Sequence, residues 1–223
     1  GHRVIEIAAI EVENRAVTSK SYQAYLDPKR PVEPEAFKVH GLSDEFLEGK
    51  PTFDLVVDEF LAFVKGSTVV IHNAVGGAFG NFLDIDPQVL ERNFQVNTMA
   101  LLHLAQSTAP AMIAAGEGAI VCTGNTSAFR GSANFAGFAP TKAAQRILAE
   151  AMARDLGPKG VHVAYVAIDA VIDLAWTRHR YPDKEDGFFC QPADIAEECY
   201  RLAHQNRSAW SFSSVIRPYG ETW

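Results

Sequence analysis

The stretch TVVIHNAVGGAFGNF, residues 68–82, decides how the chain folds. Thr68–His72 is a short apolar run rich in Val and Ile. Three glycines follow within eight residues, at 76, 77 and 80. A run of that length, stopped by glycine, reads as a strand covered on both faces and then a turn. Open α/β sheets place their ligands at such strand ends. Outward from this point the chain reads differently on its two sides. Downstream, residues 86–116 form a helical pattern with Asp86 at the N-cap, Pro87 at the first helical position and a kink expected at Pro110. The strand GAIVCTG (118–124), an amphipathic helix (138–160) closed by Gly157-Pro158, and the strand VHVAYVAI (161–168) follow. Residues 170–192 read as irregular, 192–205 as a helix and 210–218 as a last strand. This alternation predicts a parallel sheet with right-handed crossovers. Upstream, residues 3–12 and 21–28 alternate apolar and polar and predict an antiparallel hairpin. Residues 29–52 read as loops with one or two helical turns, and 52–67 as a helix with Thr52 as N-cap and Gly66 as stop.

Composition narrows the function classes. Apolar residues are 48% and charged residues 21%, which is ordinary for a globular chain. The net charge of −7 argues against nucleic acid as a dominant partner, although a nuclease that works through metal ions can be acidic. No apolar run reaches the roughly 20 residues of a membrane span. Cys122, Cys190 and Cys199 have no metal-like spacing, which points to a reducing, cytoplasmic setting. The chain begins Gly-His-Arg rather than with Met, so a missing N-terminal piece or an expression scar is expected.

Residues 1–74 resemble the proofreading exonuclease subunits of bacterial DNA polymerase III, most specifically in EAFKVHGLSDEFL and VVIHNA. Residues 69–223 resemble the C-terminal two thirds of short-chain dehydrogenases/reductases. The pieces that carry this likeness are GGAFGNFLDIDPQVLERNFQVNTMALLHL and GAIVCTGNTSAFRGSANFAGFAPTKAAQRILAEAMARDLGPKGVHVAYVAI. The fourth strand of one family ends in His-Asn-Ala and that of the other in an Asn-Ala-Gly turn, and IHNA fits both. The expectation is a chimera-like α/β chain: a ββαβ segment over 1–74, a βα segment over 75–223, and one three-layer domain. Its parallel Rossmann-like sheet would be bordered by the N-terminal hairpin, with Thr68–His72 as an interior strand between that hairpin and residues 118–123.

The exonuclease resemblance implies two metal ions held by carboxylates, with a His as general base. The first Asp-x-Glu motif falls before residue 1. The Asp three residues after Asn-Ala falls on Gly77, and the late His and Asp fall in the part that resembles the other family. His179, Asp183 and Glu185 are look-alikes with different spacing, and a solvated charged loop accounts for them. Glu6 and Glu11 read as water-facing strand positions. His40 and His72 match family positions that are not metal ligands. No metal site is expected.

The dehydrogenase resemblance implies a Tyr that passes a proton to a substrate carbonyl, a Lys four residues later that lowers its pKa, a Ser that binds the carbonyl, and a helix Asn that holds a relay water. Lys142 falls on the Lys and Asn97 on the helix Asn. Phe138 stands at the Tyr position and Asn125 at the Ser position. The family's glycine-rich first turn is not found, and Asp169-Ala170 and Leu174 stand where Pro-Gly and a carboxamide-binding Thr are usual. NAD(P) is implied by resemblance only, through Asn73, Ala74, Gly76 and Lys142, with weak or absent binding expected. The blander readings are a simple turn at Gly76–Gly80, a surface lysine at 142 and a helix-packing amide at 97. The expectation is therefore a dehydrogenase-like protein without oxidoreductase activity. A degenerate exonuclease, or a non-catalytic scaffold or engineered chimera, stands as the alternative. Helices 86–109 and 138–156 would carry any homo-oligomer.

Overall fold

A computed structural model describes residues 5–13, 16–32, 37 and 41–221. The chain divides into two units, Gly1–Lys65 and Gly66–Trp223. His40 lies outside the described residues.

In the first unit, β1 (Glu6–Glu13) and β2 (Ala16–Tyr25) pair antiparallel, with a bulge between Ile10 and Val12. Four residues, α1 (Asp44–Leu47), form one helical turn, and Ser43 caps it by accepting the Phe46 amide at 3.2 Å. The amphipathic helix α2 (Phe53–Val64) stops just before Gly66, whose φ of +82° suits only glycine well. Tyr22 of β2 lies against Phe60 and Phe63 of α2, and its hydroxyl donates to the Val56 carbonyl at 3.1 Å.

The second unit is built on four parallel strands. β3 (Val69–His72), β4 (Gly118–Asn125), β5 (Val161–Ile168) and β8 (Ser213–Ile216) lie side by side in that order. Between β3 and β4 run α3 (Pro87–Phe94), a π-helical turn (Gln95–Met99) and α4 (Ala100–Ala115). Helix α5 (Ala139–Leu156) connects β4 to β5. The segment after β5 holds β6 (Val171–Ile172), α6 (Ala175–Arg180) and β7 (Phe189–Cys190), with β6 and β7 paired parallel, and α7 (Pro192–Ala203) leads to β8. Side chains alternate along the strands, so each strand feeds both faces. Ile120, Cys122, Val163 and Tyr165 pack with Leu101, Met112 and Ala149 of α4 and α5. Val121, Ala164 and Val166 pack with Cys199 and Leu202 of α7 on the other face. The fold is thus α/β, with a four-stranded parallel sheet and an N-terminal antiparallel hairpin.

Three expectations change. Among the described residues the strand Val69–His72 is not interior: β4 pairs with one side of it and no strand pairs with the other, and the hairpin is a two-stranded sheet of its own. The apolar run predicted cover on both faces, yet Ile71 is 49% exposed. Residues 170–192 are not irregular throughout, because Thr177 organises them. Its hydroxyl donates to the Ile172 carbonyl at 2.6 Å and accepts the Leu174 amide at 2.9 Å. Finally, the stretch expected as one helix is interrupted by a π-helical turn at Gln95–Met99, and α4 then continues through Pro110.

Candidate functional site

The C-terminal ends of β3 and β4, the π-helical turn and the start of α5 bring the candidate residues together. The π turn carries Asn97, which is fully buried. Its side-chain oxygen accepts the Gly76 amide at 2.9 Å. Its side-chain nitrogen donates to the Gly76 carbonyl at 2.8 Å and to the Thr141 hydroxyl at 2.8 Å. Gln145, one turn along α5 from Thr141, donates to the Asn97 main-chain carbonyl at 2.7 Å. A widened helical turn of this kind is common at functional sites. Here it fastens the glycine turn after β3 to α5.

Gly76 is required by space. A Cβ there would lie 2.8 Å from Asn93 Oδ1 and 3.2 Å from Val96 Cβ. Asn93 in turn donates to the Gly137 carbonyl at 2.6 Å, so two buried asparagines of one helical stretch hold the loops on either side of it.

Lys142 is 1% exposed, so it is not a surface lysine. Its ammonium donates to the Thr123 main-chain carbonyl at 3.4 Å. Burial pulls its pKa down to about 8. His72 is buried beside this cluster. Burial first, and then the Lys142 charge, lowers its pKa to about 4, so it is neutral at physiological pH. Its Nε2 has no hydrogen-bond partner among the described residues. Thr123 joins the strands by donating to Asn73 Oδ1 at 2.6 Å. Beside it, the Cys122 thiol is pushed up to about 12 by burial and is inert as a nucleophile.

The other candidates are engaged differently. Asn125 turns its side chain back to accept the Ser127 amide at 3.1 Å, capping the short turn after β4. Phe138 sits at the N-cap of α5, half-buried, with its ring centroid 6.3 Å from that of Phe135. Its main-chain carbonyl accepts the Thr141 hydroxyl at 2.7 Å. Ala74 is exposed. Asp169, after β5, accepts from the Thr126 hydroxyl at 2.8 Å and pairs with Arg217.

The structure adds Thr123, Thr141 and Gln145 to the residues chosen from sequence. Only adjacency to Lys142 marked Thr141, and nothing marked the other two. The look-alike acids do not converge: His179, Asp183 and Glu185 are exposed, and no cluster of three potential ligands occurs among the described residues. Glu11 accepts from the Thr18 hydroxyl at 2.8 Å and pairs with Lys20 at 3.0 Å, as a surface strand position does.

A parallel sheet with helices on both faces, and a glycine turn at the end of an early strand, defines a Rossmann-like type of α/β fold. The family model described as short chain dehydrogenase matches residues 50–178. The chain belongs to the short chain dehydrogenase family. A short-chain dehydrogenase from Rhodopseudomonas palustris is 30% identical. The match covers 73% of this chain and 70% of that one, with a TM-score of 0.58. The gluconate 5-dehydrogenase from Burkholderia cenocepacia J2315, solved in complex with NADP and tartrate, shares the fold at 20% identity and a TM-score of 0.62. The chain is also 50% identical over 94 residues to the DNA polymerase III subunit epsilon of Escherichia coli (strain K12). That match takes in 42% of this chain but only 37% of the subunit's length. Against the Rickettsia typhi subunit the figures are 40% identity over 115 residues and 49% of its length. The chain thus spans less than half of the curated relatives it matches.

Proposed function

We propose that this chain is a short-chain dehydrogenase-like protein without oxidoreductase activity, and that it binds NAD(P) weakly or not at all. The observation that carries the reading is Phe138 at the position of the proton donor. A phenyl ring has no proton to pass, and general acid catalysis contributes typically about 10²–10⁴-fold. Three further features support it. Asn125 spends its side-chain oxygen on its own turn. Both main-chain groups of Gly76 are taken by Asn97. Lys142 directs its ammonium to a main-chain carbonyl. Asn73, Gly76 and Lys142 are therefore engaged within the protein, and the residues present do not fit a bound dinucleotide. No reaction step is assigned through it.

The test is NADPH oxidation with a panel of aldehydes, ketones and 2-oxo acids. The account expects no turnover from the chain or from the double variant Asn125→Ser with Phe138→Tyr. NADPH-dependent turnover by the chain itself would overturn it.

The identity to epsilon subunits supports a second reading, a degenerate exonuclease-like protein. We also propose self-association through helices 86–109 and 138–156, which sedimentation velocity would detect.

A further inference from the structure

We propose that a cavity at the start of β5 is a binding site for a small, neutral, planar heterocycle whose edge carries a hydrogen-bond donor beside an acceptor, as the lactam edge of a pyrimidine base does. The site goes beyond the loss of catalysis. It lies between the start of β5 and the last turns of α5, away from Lys142 in the first turn of that helix, and its walls all belong to the second unit.

Three observations carry it. The first is in the main chain. β5 pairs with β8 only from Tyr165 onward. The Tyr165 amide donates to the Phe212 carbonyl at 2.6 Å, and the Asp169 amide to the Ile216 carbonyl at 2.9 Å. Peptide groups alternate in direction along a strand, so those of Val163 point to the same side. At Val163 β8 has not begun, and no partner for its amide or its carbonyl occurs among the described residues. Val163 is nonetheless 2% exposed. Buried main-chain groups are nearly always paired. A donor and an acceptor of one residue, side by side, match a ligand that offers the reverse pair, as two residues of an antiparallel ladder exchange both bonds.

The second observation is the space. Val163 lines a cavity of about 270 Å³ whose apolar walls are Ala153, Val161, Trp210 and Phe212. That is near the lower end for small-molecule sites, enough for a single ring and too little for a dinucleotide. The cavity has a cause in the sequence. His162 donates from Nε2 to the Ser211 carbonyl at 3.0 Å, and its ring stacks on Trp210 with centroids 4.8 Å apart and planes 4° from parallel. The chain entering β8 is thereby held by a side chain rather than by the β5 backbone.

The third observation is the charge. Glu150 and Arg154, the charged residues of the wall, pair with each other at 2.7 Å, and Glu150 also pairs with Arg146 at 3.3 Å. With these charges matched among themselves, the walls favour a neutral ligand over an ion. Trp210 and Phe212 favour a flat one.

The test is titration of the whole isotope-labelled chain with uracil, followed by amide and indole resonances. N,N′-dimethyluracil, which keeps the ring but lacks both donors, is titrated in parallel. The expected result is a saturable shift of the Val163 amide and the Trp210 indole with a Kd of about 1 mM or tighter, and slowed exchange of the Val163 amide. The dimethyl compound should bind about tenfold more weakly or worse, for want of the donor to the Val163 carbonyl. Trp210→Leu removes a flat wall and should weaken uracil by about fivefold or more. Arg154→Ala should leave uracil binding unchanged within about twofold, because a neutral ligand gains little from that charge. Melting curves confirm that each variant folds, and the comparison of the two pyrimidines on the parent chain decides without any variant. No saturation up to about 20 mM, equal binding of the two pyrimidines, or shifts that leave the Val163 amide unmoved would each overturn the proposal.

Discussion

Lys142 holds a charge inside the fold, and that has a pH signature. Burial brings it to about 8 in the folded protein, while an unfolded lysine keeps its proton to about 10.5. Between those values the unfolded chain binds more protons, so stability rises with pH from about 8 to 10.5. Below pH 8 the full penalty of the buried charge is present. Lys142→Met should therefore stabilise the protein at pH 7 by on the order of 3 kcal/mol. The advantage should fade between pH 8 and 10.5 in urea melts. A variant less stable than the parent at pH 7 would show that the ammonium earns more from its surroundings than burial costs it. His72 behaves as an acid-side sensor. Its folded pKa near 4, against an ordinary 6.5, makes stability fall as the pH drops through that window. Because the Lys142 charge contributes to that depression, Lys142→Met should also raise the His72 pKa. Imidazole proton shifts followed against pH would detect this, and an unmoved titration would separate the two residues. Lys142 and Asn97 stand at positions that the resemblance to the dehydrogenase family implies. Their burial was not legible, because nothing in a helix pattern says that an ammonium turns inward to a strand carbonyl.

At the scale of elements, the π-helical turn fixes the glycine turn. Asn97→Leu removes the partner of both main-chain groups of Gly76 and should cost about 1–3 kcal/mol for each group left unpaired. Gly76→Ala would push a methyl against Asn93 and Val96 and should cost about 1–3 kcal/mol by overpacking. Thermal melts of both variants would test this, and unchanged melting temperatures would mean that the turn can relax away from the helix. The Asp86 cap and the Pro87 start of this helical stretch were readable in the sequence, because capping is local chemistry. The π turn was not, since its cause is the buried contact between Asn97 and a turn some twenty residues earlier. The same limit explains residues 170–192, where Thr177 serves the backbone on both sides of itself. Strand periodicity likewise placed β3 correctly in sequence but not in the sheet. An apolar run reads the same whether its edge is paired or open.

At the scale of the molecule, two resemblances meet in a chain whose second unit carries the parallel sheet. β5 is buried along its whole length, while the outward side chains of the hairpin, Ile10, Val12 and Val17, are exposed. Native-state hydrogen exchange should therefore find its slowest amides in β4 and β5 and faster ones in β1 and β2. The reverse order would misplace the stable core. Nuclease activity is a separate matter. The account expects no Mg²⁺- or Mn²⁺-dependent release of nucleotides from labelled single-stranded DNA, and activity that survives re-purification would contradict it. In the proposed reading, Asn73, Gly76 and Lys142 are spent on contacts within the protein. Titration of the whole chain with NADPH, followed by calorimetry and by nicotinamide fluorescence, tests it most directly. The account predicts a Kd in the millimolar range or weaker, about 4 kcal/mol of binding at most. A micromolar Kd would show that Gly76, Asn73 and Lys142 are free to hold a cofactor, and the account would fail.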